Sequence, residues 1–273
     1  MCRWLAYSGA PVLLEEVLFK TDHSLIDQSI RARDPHATTN GDGFGIGWYG
    51  QRDTPGLYKD IRPAWNDNNL QALAAQIESP MFLAHVRATT GTHVQRTNCH
   101  PFGYEQWLFV HNGLVNEYDK LRRDLTVAVA PEYFPLIQGS TDSEIMFLLA
   151  LTFGMGNDVK AGLERMAGLV EETARLRGIE NALQMTLGIS DGVSLYAVRY
   201  STEGRSRSLF HSASRDATME IAPDADRFSR DARAIVSEPL NDLEAEWVEV
   251  PEASFLTVTR GKVSREPFVP IAP

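Results

Sequence analysis

Met1-Cys2-Arg3-Trp4-Leu5-Ala6-Tyr7 opens the chain, and how this stretch is read decides the fold. Residues 2–8 read as a buried strand, an apolar run with little alternation. If Met1 is trimmed, Cys2 carries a thiol and a free α-amine on the same residue. The thiolate is the reactive form of cysteine, and a thiol of pKa ~8.5 needs a base at neutral pH. An α-amine of pKa ~8 is partly neutral there and takes the thiol proton directly or through a water. A cysteine at position 2 is also a common accident of sequence, so the reading depends on what the rest of the chain supplies.

Working outward, Val12, Leu13, Val17 and Leu18 have helical spacing over residues 11–19, with Pro11 suited to a first turn. A second helix is expected over residues 24–33, followed by a polar, turn-rich stretch over 34–40. Gly45, Gly47 and Gly50 match the dinucleotide fingerprint in form. A turn follows them where a helix is required, so residues 44–49 read instead as a strand whose glycines admit a close neighbour. Residues 57–62 are its hairpin partner, and a short helix is expected over 70–78.

Two strongly apolar strands then run over residues 81–88 and 106–111. Their polar ends are Arg87-Ala88-Thr89-Thr90-Gly91-Thr92 and His111-Asn112-Gly113, at places where chemistry commonly sits. Helices are expected over 117–125, over 142–153 behind the capping-box pattern Thr141-Asp142-Ser143-Glu144, and over 159–177 before Gly178. Beyond these the chain turns to β: strands over 184–189, 194–200, 208–214, 233–236, 247–250 and 255–260. With no repeats and no break in composition, the expectation is one domain over residues 1–273, of α+β class.

The 273 residues can bury a large core, and a formal net charge of −10 with no basic patch argues against nucleic-acid binding. The longest apolar run, residues 145–153, is far below the ~20 needed to cross a bilayer, so no membrane association is expected. Arg3-Trp4-Leu5-Ala6 faintly imitates a secretory leader, but Ser8-Gly9 and Glu15-Glu16 break it. Two cysteines, Cys2 and Cys99, give neither a disulfide framework nor metal-ligand spacing, so a cytoplasmic protein with no metal and no cofactor is expected.

Four separated pieces fit together: Cys2, Arg87 after one strand, Asn112-Gly113 after another, and Asp142 at a helix start. With Ala84-His85-Val86-Arg87, Asn98-Cys99-His100-Pro101, Val110-His111-Asn112-Gly113 and Thr141-Asp142-Ser143-Glu144 in this order, the chain resembles the class II glutamine amidotransferases, N-terminal nucleophile hydrolases. The resemblance implies a four-layer αββα sandwich. It implies a Cys2 nucleophile that forms a γ-glutamyl thioester, with Asn112 and Gly113 as oxyanion donors. Arg87 would hold the substrate α-carboxylate and Asp142 its α-ammonium. Bland readings stand beside these: Asn-Gly is usually a turn, Arg87 could make a surface ion pair, and an acid is favoured in a first helical turn by the helix dipole.

The family's arginine-tryptophan-alanine-threonine-histidine-glycine run is here Arg87-Ala88-Thr89-Thr90-Gly91, shorter and without tryptophan, which leaves Thr90 without a role. His85, His100 and His111 read as structural histidines, and Cys99 as a packed one. The last strands are expected to complete the hydrolase fold with no synthase domain after them, an expectation under which the chain resembles the stand-alone γ-glutamyl amidohydrolases of ergothioneine synthesis and glutathione breakdown. The expected substrate is a small γ-glutamyl compound. The alternatives are a subunit feeding ammonia to a partner synthase, and a silent glutamine-binding protein.

Overall fold

The structure, a computed structural model, describes residues 2–31, 39–89, 91–213 and 231–272. Met1, Thr90, most of the polar stretch over 34–40 and the end of the strand expected over 208–214 lie outside these residues.

The chain begins with β1 (Arg3–Leu13), α1 (Leu14–Leu18) and α2 (Leu25–Ile30), then a hairpin of β2 (Phe44–Trp48) and β3 (Gly56–Asp60). There follow α3 (Asn68–Ala74), β4 (Glu78–Val86), β5 (Phe102–Tyr104) and β6 (Trp107–Val115). Three helices come next, α4 (Tyr118–Val127), α5 (Asp142–Thr152) and α6 (Val159–Leu176). The rest is β: β7 (Leu183–Ser190), β8 (Ser194–Ser201), β9 (Phe210–Ser212), β10 (Arg233–Val236), β11 (Trp247–Glu249), β12 (Ser254–Thr259) and β13 (Lys262–Pro267). Among the described residues these strands form a seven-stranded sheet, in order β11-β9-β10-β1-β4-β2-β3, and a six-stranded sheet, in order β13-β12-β8-β7-β6-β5. Neighbouring strands are antiparallel; β1 lies mid-sheet, pairing Leu5 with Val236 on one side and with Ala84 on the other.

Side-chain alternation builds the layers. Trp4 and Ala6 of β1 and Leu83 of β4 face Leu108, Val110 and Ala197 of the other sheet in a dry inner core. Leu5, Tyr7 and Phe82 point the other way, onto the helices that carry Val17, Leu25 and Leu70. On the far side Phe109 and Leu187 meet α5 and α6, with Phe109 and Phe147 stacked at 5.2 Å. The result is the expected αββα sandwich. Each of these fully buried large side chains contributes about 1.5–3 kcal/mol by leaving water. Helix α5 is apolar on all sides from Ile145 to Leu151, which suits a helix enclosed by β6 and its neighbours α4 and α6.

Three expectations are corrected. Pro11 belongs to β1, where the pairing with β4 shifts register between Ser8 and Val12; a residue without an N–H is tolerated at such an irregularity, and the helix is only Leu14–Leu18. The helix expected over 70–78 ends at Ala74, because Glu78 already belongs to β4. Asn112 and Gly113 do not end a strand: β6 runs on to Val115, pairing Asn112 with Thr186 and Gly113 with Met185. The glycines of β2 behave as read, since a Cβ at Gly45 would run into the His100 carbonyl.

Candidate active site

Cys2 sits at the head of β1, half-buried, on the wall of a cavity of about 480 Å³. Its Sγ lies 3.5 Å from both the backbone N–H and the carbonyl oxygen of Ala88, just past β4. Burial pushes the thiol pKa up, and the Ala88 N–H opposes this only in part. Among the described residues no side chain hydrogen-bonds Sγ, so the fold around Cys2 supplies no side-chain base. Arg3 anchors the position: its Nη1 donates to the Cys2 carbonyl at 2.9 Å, and its guanidinium pairs with buried Glu238 at 2.6 Å.

Gly113 lines the same cavity from the opposite sheet, whereas Asn112, its neighbour on β6, is not among the described lining residues. Alternation along β6 turns Leu108, Val110 and Asn112 to the inner face and Phe109, His111 and Gly113 to the helix side. The Asn112 side chain is buried, and its amide has no hydrogen-bond partner among the described residues. The Asn112 backbone carbonyl accepts from Thr186 Oγ1 at 3.4 Å, and Thr186 in turn accepts from Trp4 Nε1 at 3.1 Å, a polar bridge between the sheets. Gly113 lines the cavity with φ of +153°, and a Cβ there would collide with the Gln184 carbonyl. Only glycine fits this backbone. The turn reading of Asn-Gly is thereby replaced by a strand reading.

Arg87 is buried on the cavity wall, and among the described residues it makes no ion pair. Its guanidinium donates to the Asp42 carbonyl at 3.3 Å, to Thr92 Oγ1 at 2.6 Å, and to Thr89 Oγ1 and the His93 carbonyl at 3.3 Å. The surface ion-pair reading is excluded by this burial. Asp142, the first residue of α5, accepts from Val115 N–H at 2.8 Å, Ser143 N–H at 2.7 Å and Ser143 Oγ at 3.1 Å. It too lacks a charged partner among the described residues. Arg87 and Asp142, both without an ion pair among the described residues, thus stand on walls shared with a thiol, a pattern complementary to a zwitterion, with Asp119 and the Glu117–Lys120 pair also on the lining.

The three histidines form a buried group at the cavity: His100 and His111 line it, and His85 contacts both. His111 Nδ1 lies 2.8 Å from Ser143 Oγ, His85 Nε2 lies 3.2 Å from the His111 carbonyl, and the His85 and His100 rings are 4.2 Å apart. Burial lowers all three pKa values, that of His85 to about 3 and that of His100 well below the ordinary value. They are neutral at working pH, in keeping with a structural reading. Cys99 is fully buried, with Sγ 3.4 Å from the Asp60 carbonyl. Trp48 packs with the outer core, and neither it nor residues 43–47 line the cavity. The sequence reading missed the cavity lining of Leu114, Tyr118 and Lys120; their place at the end of β6 and the start of α4, just after Asn112, is the signal that could have found them.

The family model "Glutamine amidotransferases class-II" matches residues 15–270. The chain is similar to "Probable glutamine amidotransferase DUG3" of Saccharomyces cerevisiae, at 32% identity over 98% of this chain and 85% of that one. It is similar to the "Gamma-glutamyl-hercynylcysteine sulfoxide hydrolase" of Mycolicibacterium smegmatis, at 32% identity over 64% of this chain and 73% of that one. Among solved structures it is similar to a "glutamine aminotransferase class-II domain protein (SPO2029)" from Silicibacter pomeroyi, with a TM-score of 0.74, 32% identity, and 98% and 100% of the two chains covered.

Proposed function

The chain belongs to the class II glutamine amidotransferases, and on that premise we propose that it hydrolyses a γ-glutamyl amide to glutamate and an amine, with Cys2 as nucleophile. The observation that carries the reading is the pair Arg87 and Asp142, unpaired among the described residues, on the walls of the cavity that holds Cys2. Arg87 offers a two-pronged site for an α-carboxylate and Asp142 a site for an α-ammonium. The γ-carbonyl of the bound substrate then reaches Sγ.

Once Met1 is removed, the free α-amine of Cys2 takes the thiol proton, a role that no side chain fills. Sγ attacks the γ-carbon, and the oxyanion is met by the Asn112 amide and the Gly113 N–H. The C–N bond breaks as the α-ammonium returns its proton to the leaving amine. Water, deprotonated by the same amine, attacks the thioester and frees glutamate and the thiol. No cofactor enters this sequence. The two free cysteines suit a reducing compartment such as the cytoplasm.

The test is glutamate release from glutamine, glutathione and other γ-glutamyl amides by the isolated, Met1-trimmed protein. Turnover of at least one is expected, with none from Cys2→Ala or from protein carrying an N-terminal tag. Undiminished turnover by the tagged protein would sink the mechanism, since an amide nitrogen accepts no proton.

A further inference from the structure

Asn98 stands outside the cavity wall yet touches both segments that carry its charges. It closes the 3-10 turn Arg96–Asn98 and is fully buried. Its side-chain amide uses its full capacity of two donors and two acceptors. Nδ2 donates to the His93 carbonyl at 2.9 Å and to Ser140 Oγ at 3.1 Å. Oδ1 accepts from Ser140 N–H at 2.9 Å and from Gln95 Nε2 at 3.0 Å.

The two sides of this amide lead to the two ends of the substrate site. The His93 carbonyl that Asn98 holds also accepts from Arg87 Nη2 at 3.3 Å. Ser140 directly precedes Thr141, the N-cap of α5, and Asp142, its first residue. The two residues before Ser140 are held by Glu144, whose carboxylate accepts from Gln138 N–H at 3.0 Å and Gly139 N–H at 2.8 Å. Gly139 allows the close approach: a Cβ there would lie 2.5 Å from Asn98 Oδ1. The clamp thus joins the loop after β4 to the start of α5, two segments that come from different parts of the chain.

We propose that Asn98 is a positioning residue that sets the separation of Arg87 and Asp142, and so the enzyme's selectivity for an intact α-amino-acid end. This rests on the reading of Arg87 and Asp142 given under Proposed function. Because a buried amide forms all four bonds, each replacement acts on a defined side of the clamp. Asn98→Asp keeps the acceptor for Ser140 N–H but sets an oxygen against the His93 carbonyl, loosening the Arg87 side. Asn98→Ala releases both sides.

The probes are the diazoketone analogue of glutamine, its des-amino form and its α-carboxamide form, with the rate of Cys2 alkylation read by intact mass on the full, trimmed chain. Wild type should prefer the parent reagent at least tenfold over each truncated one. Asn98→Ala should lose most of both preferences. Asn98→Asp should lose the preference for the carboxylate and keep that for the amine, a split that a general loosening of the fold does not produce. Wild type without either preference overturns the Arg87 and Asp142 reading itself. A discriminating wild type with equally discriminating Asn98 variants overturns the clamp alone. If Asn98→Ala does not fold, Asn98→Asp decides: both preferences kept, or both lost together, overturns the proposal.

Discussion

At the scale of single residues, Gly113 is the least replaceable position of the site. Its φ of +153° and the Gln184 carbonyl beside it leave no room for a side chain. Gly113→Ala should cost about 1–3 kcal/mol from backbone strain alone, with the collision adding to it, and should abolish turnover. A denaturant midpoint equal to wild type would show that β6 absorbs the change. The importance of Asn112-Gly113 was legible in the sequence but its conformation was not, because Asn-Gly satisfies a turn as readily as a strand and only the β7 partner decides. Arg87 was legible as a lone arginine after an apolar strand, whereas the four oxygens that hold it come from residues 42, 89, 92 and 93, a convergence that no local pattern encodes. Asn98 was legible only as part of a motif. Its partners His93 and Ser140 lie 5 and 42 residues away, the second far outside any local window.

At the scale of elements, the head of β1 is fixed by charge. The Arg3–Glu238 pair is buried at 2.6 Å, and His23 Nε2 approaches the other Glu238 oxygen at 3.2 Å. Removing one partner of such a pair strands the other, a cost of about 3–5 kcal/mol. Glu238→Ala should lower the unfolding free energy by that amount. Because Arg3 also holds the Cys2 carbonyl, turnover should fall further than the folded fraction does. Urea titration followed by an activity assay at a temperature where the variant is fully folded separates the two effects. The strands that alternate or run apolar, such as β10 and β12, were readable within one or two residues, whereas β13, Lys-Val-Ser-Arg-Glu-Pro, is an exposed edge with no apolar face to betray it. The capping box at α5 forms by half: Thr141 Oγ1 accepts from Glu144 N–H at 3.2 Å, but the Glu144 carboxylate turns to the 138–139 backbone. The sequence pattern was right about the helix start and silent about this second use of its acid.

At the scale of the whole molecule, the three neutral histidines tie stability to pH. In the unfolded chain each titrates near 6.5, whereas in the fold burial holds the pKa lower, to about 3 for His85. As pH falls below 6.5 the unfolded state gains protons that the native state refuses, so stability present above 6.5 is lost progressively toward the folded values. Between pH 6.5 and 5.5 the loss from His85 should be about 1 kcal/mol, before carboxylates titrate, with His100 and His111 adding in the same direction. Denaturant midpoints across that interval check it, and His85→Asn should flatten the slope by one histidine's share. The four layers were readable from the periodicity and the family resemblance together, while the order of strands was not, since β1 has partners 79 and 231 residues away when Leu5 is matched to Ala84 and Val236. That order also sets a timetable for synthesis. At ~5–20 residues per second, β1 waits roughly 10–50 s for its second neighbour to leave the ribosome. During that wait β1 keeps one open edge, and the sheet closes there only when β10 pairs Val236 with Leu5.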